Sequence, residues 1–230
     1  ICAGQQTNLY YMCDPEKDSE DVNKISRLLN ENRFAKLSID RSGMVVQEQP
    51  PNLNQNQIKL SVDGENWLYE EQLLNFNRIA IIGGGHCSLA LSRLMKQIGF
   101  NVSVFDTREN VSTIKENTYA NTVQIVDDFC GSAALIEFPE LTFVVVMTTD
   151  VVSDVRGVLG AIDLPFPFIG VMGSQSKIAE IVKQLTKEGI TKDQLKRLTA
   201  PVGIPMVSNT PEEIAVSVAA QILQYKNSTS

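Results

Sequence analysis

The sequence predicts an α/β protein, a doubly wound and mostly parallel sheet preceded by a smaller N-terminal α+β domain. Three observations lead there. From Arg78 onward, short continuous runs of Val, Ile and Phe alternate with helix-period segments, as expected of strands covered by helices on both faces. A glycine turn, Gly83-Gly84-Gly85, joins the first such run to the first such helix. Before Arg78 the alternation is absent, and short strands surround one helix. The expected domains are residues 1–77 and 78–230.

In the first domain, residues 6–12 suit a strand. Val22, Ile25, Leu28 and Leu29 stand at helical spacing within residues 18–33. Residues 36–49 read as a hairpin turning at Ser42-Gly43. Residues 50–57 read as polar loop, and 58–74 as further strand. In the second domain, strands are expected at 78–82, 101–105, 122–125, 142–147 and 168–171. Helices are expected at 86–98, 149–161, 174–187, 191–198 and 211–224. The last helix has a defined start, with Thr210 as N-cap, Pro211 at the first helical position and Glu213 closing a capping box. Its Ile214, Val218 and Ile222 share one face, which marks it as a packing element.

Composition narrows the function classes. A formal net charge of −7 argues against nucleic acid or an anionic membrane as the main partner. No apolar run approaches the roughly 20 residues that span a bilayer. Cys2, Cys13, Cys87 and Cys130 are scattered without a CxxC pair, and a single histidine cannot complete a zinc site of the usual kind. Free thiols of this sort suit a cytoplasmic protein. The opening Ile1-Cys2-Ala3-Gly4 has no initiator Met and no leader, and reads as an internal stretch of something longer.

The chemistry concentrates at the glycine turn. Gly83 and Gly85 supply the first two glycines of a Rossmann-like G-x-G-x-x-G, and Ser88 replaces the third. Gly83 would permit the tight turn, Gly85 would let backbone approach a phosphate, and the N–H groups opening the helix would face the anion. The next strand ends at Asp106, about 20 residues beyond Gly85, where an acid accepts from a ribose hydroxyl. Such a carboxylate favours NAD or an adenosine-like ribose over NADP, an effect Arg108 would soften. His86, at the helix start, could donate to a phosphate or be a plain helix-start residue. The hydride-transfer set of a dehydrogenase is not visible, which counts against an enzyme.

Three further loops belong to the same sheet edge. They carry Thr148-Thr149-Asp150, then Gly173-Ser174 as a second possible anion cradle, then Pro201, Gly203 and Pro205 before the last helix.

Taken in order, "GGGHCSLALSRL", "FDTR", "VVVMTTD", "IGVMGSQSK", "PVGIPM" and "TPEEIAVSVAAQIL" resemble the xanthine dehydrogenase accessory protein family (XdhC/CoxI). "CAGQQTNLYY" resembles that family's Cys-Gly-Gly segment leading into a strand. The resemblance implies an accessory protein that binds molybdenum cofactor (molybdopterin, or its nucleotide form) through the Rossmann unit. It further implies support of sulfuration by a cysteine desulfurase, delivery to a xanthine dehydrogenase-type molybdoenzyme, and a homodimer. The cofactor-holding cysteine of the family falls on Cys2, a possible molybdenum ligand. The implied cofactor-binding set is Cys2, Gly83, Gly85, His86, Asp106, Arg108, Thr148, Asp150, Gly173 and Ser174. The chain departs from the family at Ala3, at Gln175-Ser176 where basic residues are usual, leaving Lys177 as the nearest cation, and at Thr149 where histidine is usual. The alternative reading is an NAD-linked oxidoreductase resting on His86 or Asp150.

Overall fold

A computed structural model describes residues 8–31, 33–50, 52, 58–73 and 77–228. The chain divides into two compact units, Ile1–Asn75 and Phe76–Ser230.

The first unit holds helix α1 (Ser19–Asn30) and strands β1 (Ala35–Asp40), β2 (Gly43–Glu48), β3 (Ile58–Asp63) and β4 (Asn66–Leu73). The strands form an antiparallel sheet in the order β2-β1-β4-β3. Leu28 of α1 is buried against Ala35, Leu37, Ile39, Val46 and Leu73. One reading of this unit, the strand at residues 6–12, is corrected; residues 6 and 7 lie outside the described residues. Residues 8–12 form no strand, because the Tyr11 hydroxyl bonds Asp18 Oδ2 at 2.9 Å and the segment turns locally into α1. The helix expected from the apolar spacing forms as α1, whose stripe buries Leu28 while Val22 and Leu29 stay exposed. The run 58–74, expected as further strand, forms the two strands β3 and β4, joined by a turn at Gly64-Glu65 where Gly64 takes φ +59°.

The second unit contains β5 (Arg78–Ile82), α2 (His86–Gln97), β6 (Asn101–Asp106), α3 (Ser112–Lys115), β7 (Thr122–Ile125) and α4 (Phe129–Ser132). There follow β8 (Thr142–Val146), α5 (Val151–Ala161), β9 (Phe168–Val171), α6 (Gln175–Lys187), α7 (Lys192–Leu195), β10 (Leu198–Thr199) and α8 (Pro211–Ser228). All six strands run parallel in the order β10-β9-β8-β5-β6-β7. Counted within this unit, that is the sequence 6-5-4-1-2-3 of a doubly wound Rossmann sheet, as the strand–helix alternation predicts.

Both faces of the sheet are dry. Ile82, Phe105, Val144 and Val146 pack beneath α5 and α6 with Val158, Ile181 and Leu185. On the other face, Ile79, Ile81, Val102 and Val145 pack beneath α2 and α8 with Leu91, Met95, Val218 and Ile222. Each such side chain contributes about 1.5–3 kcal/mol by leaving water. Among the described residues no helix is long and apolar enough to cross a membrane.

Candidate functional site at the carboxyl edge of the sheet

The winding of the sheet reverses between β5 and β8. The chain leaves β5 for α2 on one face and leaves β8 for α5 on the other. The crevice so formed beyond the strand ends is where doubly wound folds take ligands. The glycine turn lies there. Gly83 has φ +110°, donates its N–H to Phe105 O at 2.8 Å, and would place a Cβ 2.6 Å from Met147 O. Only glycine fits. Gly84 donates to Asp106 Oδ2 at 2.6 Å and accepts from Thr113 Oγ1 at 2.5 Å, and a Cβ on it would overlap Ile114. Gly85 is the opposite case: its backbone is extended (φ −77°, ψ −172°), and no atom lies within 4 Å of where its Cβ would stand. The back of the turn is fixed and its front is open.

Helix α2 begins at that open front without a side-chain cap. The other long helices of the unit are capped. Asp150 accepts from Ser153 N at 2.9 Å on α5, Ser174 accepts from Lys177 N at 3.2 Å on α6, and Thr210 and Glu213 form the reciprocal box on α8. The N–H groups of the first turn of α2 have no acceptor within the helix, and the positive end of its dipole falls on them. An anion is the natural partner. His86, the first residue of α2, is exposed. Ser88, in the third motif position, is buried, and its hydroxyl has no hydrogen-bond partner among the described residues. Burial pushes the Cys87 thiol up, and Glu212 adds to the effect, so it stays a thiol rather than a nucleophile.

Asp106 is wholly buried, and both its oxygens are engaged. Arg108 donates from its backbone N–H at 2.8 Å, from Nε at 2.9 Å and from Nη2 at 2.8 Å, in addition to the Gly84 bond. Burial pushes this carboxyl up, but the Arg108 guanidinium and the two backbone donors together outweigh it and hold it below the usual range. The residue whose spacing suits a ribose acceptor braces the glycine turn instead, because Arg108 folds back over it.

On the other side of the crevice, the end of β8 meets a buried acid that the sequence reading did not assign. Asp154, in the first turn of α5, is completely buried. It accepts from Thr148 N–H at 2.9 Å, from Thr148 Oγ1 at 2.6 Å, and pairs with Lys177 Nζ at 2.5 Å. Lys177 reaches it from α6 and also donates to Thr148 O at 3.3 Å. Burial raises the Asp154 carboxyl despite the Lys177 and Thr148 donors.

Thr148 of the implied set therefore lies in this cluster, while Asp150 and Ser174 serve as helix caps. Gly173 packs against Lys177, whose Cδ would lie 3.0 Å from a Cβ there. Cys2 lies outside the described residues, and among the described residues no group of three or more His, Cys, Asp or Glu could hold a metal ion. A groove of about 340 Å³ runs from His86 along α2, floored by Leu89 and Leu94 and walled by Ala215 and Val216 of α8. Arg93 lies over the Tyr119 ring at 5.9 Å on its other wall.

Residues 79–222, more than half of the chain, match the family model described as the XdhC Rossmann domain. The chain belongs to the XdhC family. It is 29% identical over 150 residues to the uncharacterized protein YqeB of Escherichia coli (strain K12), a stretch that is 65% of this chain and 27% of YqeB. The matched part thus spans little more than a quarter of that relative. Over 92% of its length the chain also superposes, with a TM-score of 0.65 and 20% identity, on 65% of a Bacillus halodurans protein whose crystal structure is described as a xanthine dehydrogenase. At that identity the superposition speaks for the fold.

Proposed function

We propose that this XdhC-family chain is an accessory protein in the maturation of a xanthine dehydrogenase-type molybdoenzyme, and that its Rossmann unit carries molybdenum cofactor by its phosphorylated tail. The observation that carries this reading is the start of α2, which has no side-chain cap and opens at Gly85, where a Cβ would meet open space. The residues present fit a phosphate ester. Gly85 and the first turn of α2 would hold the phosphate, His86 stands beside them, and the groove along α2 offers the ring system an apolar wall with polar edges.

The molybdenum centre supplies redox chemistry to the client enzyme; the residues of this chain bind, orient and shield the guest. A cysteine desulfurase, the client enzyme and a second copy of the chain are the partners this role requires, with Cys2 as the residue that would handle metal or sulfur. NAD is the less suited guest, because Asp106 must first release Arg108 before it can accept from a ribose.

The test mixes purified protein with molybdopterin and measures binding by equilibrium dialysis, beside Gly85→Asp. The parent protein binds; the aspartate, placing a carboxylate among the orphan amides, weakens binding at least tenfold. Binding unaffected by Gly85→Asp would remove the cradle, and NADH retained more tightly than molybdopterin would favour the oxidoreductase.

A further inference from the structure

We propose that Lys177 is a second anion contact of the site, so that the guest carries two negative centres spanning the crevice between β5 and β8. This rests on the cradle reading above and narrows the ligand to a pyrophosphate-bridged, nucleotide-type form rather than a monophosphate ester.

Position comes first. Gly83 and Lys177 approach the same short piece of backbone: a Cβ at Gly83 would lie 2.9 Å from Thr148 N, and Lys177 Nζ lies 3.3 Å from Thr148 O. The glycine turn that leads into α2 and the ammonium therefore both approach one residue at the end of β8.

The donor count follows. A lysine ammonium carries three N–H donors. The Thr148 carbonyl takes one; Asp154 Oδ2 pairs with the ammonium by charge, without hydrogen-bond geometry, so the other donors have no hydrogen-bond acceptor among the described residues. The Lys177 side chain is 21% exposed, whereas the Asp154 side chain is 0% exposed.

Cost points the same way. A carboxylate and an ammonium withdrawn from water gain little net stability for a fold. Here α5 already has its own cap in Asp150, so Asp154 is not needed to start the helix. What the buried Asp154 charge does is hold the ammonium beside the end of β8. Asp154 is thus a positioning residue and Lys177 the group that touches the guest. Residues 173–176 carry no cation, so this ammonium is the one that the 173–177 stretch supplies.

The test uses the full chain with two probes, inorganic phosphate and inorganic pyrophosphate, titrated by calorimetry against the parent, Gly85→Asp, Lys177→Met, Asp154→Asn and the double variant Lys177→Met/Asp154→Asn. The double variant avoids leaving a buried charge unpaired, so a folded sample is available even if Lys177→Met alone does not fold. Loss of the ammonium weakens pyrophosphate about tenfold and leaves phosphate unchanged. Asp154→Asn, with the ammonium present but unheld, narrows the margin of pyrophosphate over phosphate. Gly85→Asp removes both probes. If pyrophosphate binds the double variant as tightly as the parent, the second contact is overturned and the cradle stands. If neither probe binds the parent, the cradle reading falls and this inference with it.

Discussion

Asp106 and Asp154 are both fully buried carboxylates, yet they respond to their surroundings in opposite directions. At Asp106 four donors, two of them from one guanidinium, overcome the cost of burial. At Asp154 a lysine and a threonine do not. For Asp106 the folded state holds the proton less tightly than the unfolded chain. Its contribution to stability is therefore present above the unfolded value near 3.9 and is lost as pH falls through the depressed folded value. For Asp154 the sign is reversed: the folded state holds the proton more tightly, so ionising it costs stability as pH rises. Asp106→Asn should thus destabilise the protein by about 2 kcal/mol at neutral pH, since it sets an amide against the Arg108 donors and loosens Gly84. Urea unfolding of parent and variant should show this difference shrinking as pH drops below about 4. A difference that stays constant from neutral to acid pH would mean that the charge on Asp106 braces nothing.

At the scale of elements, α5 carries two glycines, Gly157 and Gly160, where helix propensity alone would prefer alanine by about 1 kcal/mol each. Packing reverses that preference. A Cβ at Gly160 would overlap the Cys130 carbonyl of α4, and one at Gly157 would press on Ile82 and Val146 at 3.1 Å. Gly160→Ala is expected to destabilise by about 1–3 kcal/mol by thermal or urea unfolding, because backbone cannot yield as a side-chain tip can. A stabilised variant would show that α4 moves freely.

Such contacts are what the sequence hides. The strands and long helices of the second unit were legible within a few residues, because Val/Ile/Phe runs, Gly punctuation and caps such as Thr210 act locally. The elements α3, α4 and β10 span two to four residues and show no period, whereas the helix expected at 191–198 is present as the shorter α7, with Leu198 passing into β10. Gly83 and Gly85 were legible from spacing. Asp154 was not, since an acid four residues after Asp150 on a helix reads as solvated until α6 delivers Lys177 over it. Nor did spacing tell that Arg108 folds back onto Asp106.

At the scale of the molecule, site and charge are opposed. The chain carries a net charge of −7, and a phosphate-bearing guest is an anion, so the approach is repulsive at long range. Attraction begins only near the crevice, where the α2 amides act as short-range dipoles and Lys177 adds one charge. Salt weakens the two terms unequally. Between about 20 and about 150 mM ionic strength the screening length falls from roughly 20 to roughly 8 Å, which removes most of the long-range repulsion and little of the contact attraction. The association rate for pyrophosphate should therefore rise with salt over this range, by about twofold, where a protein with a basic funnel would slow. Stopped-flow measurement with a fluorescent phosphate-ester competitor reads this directly. A rate that falls with salt would mean that guests are gathered by a positive field around the crevice, and that the unbonded amides at Gly85 are not what captures them.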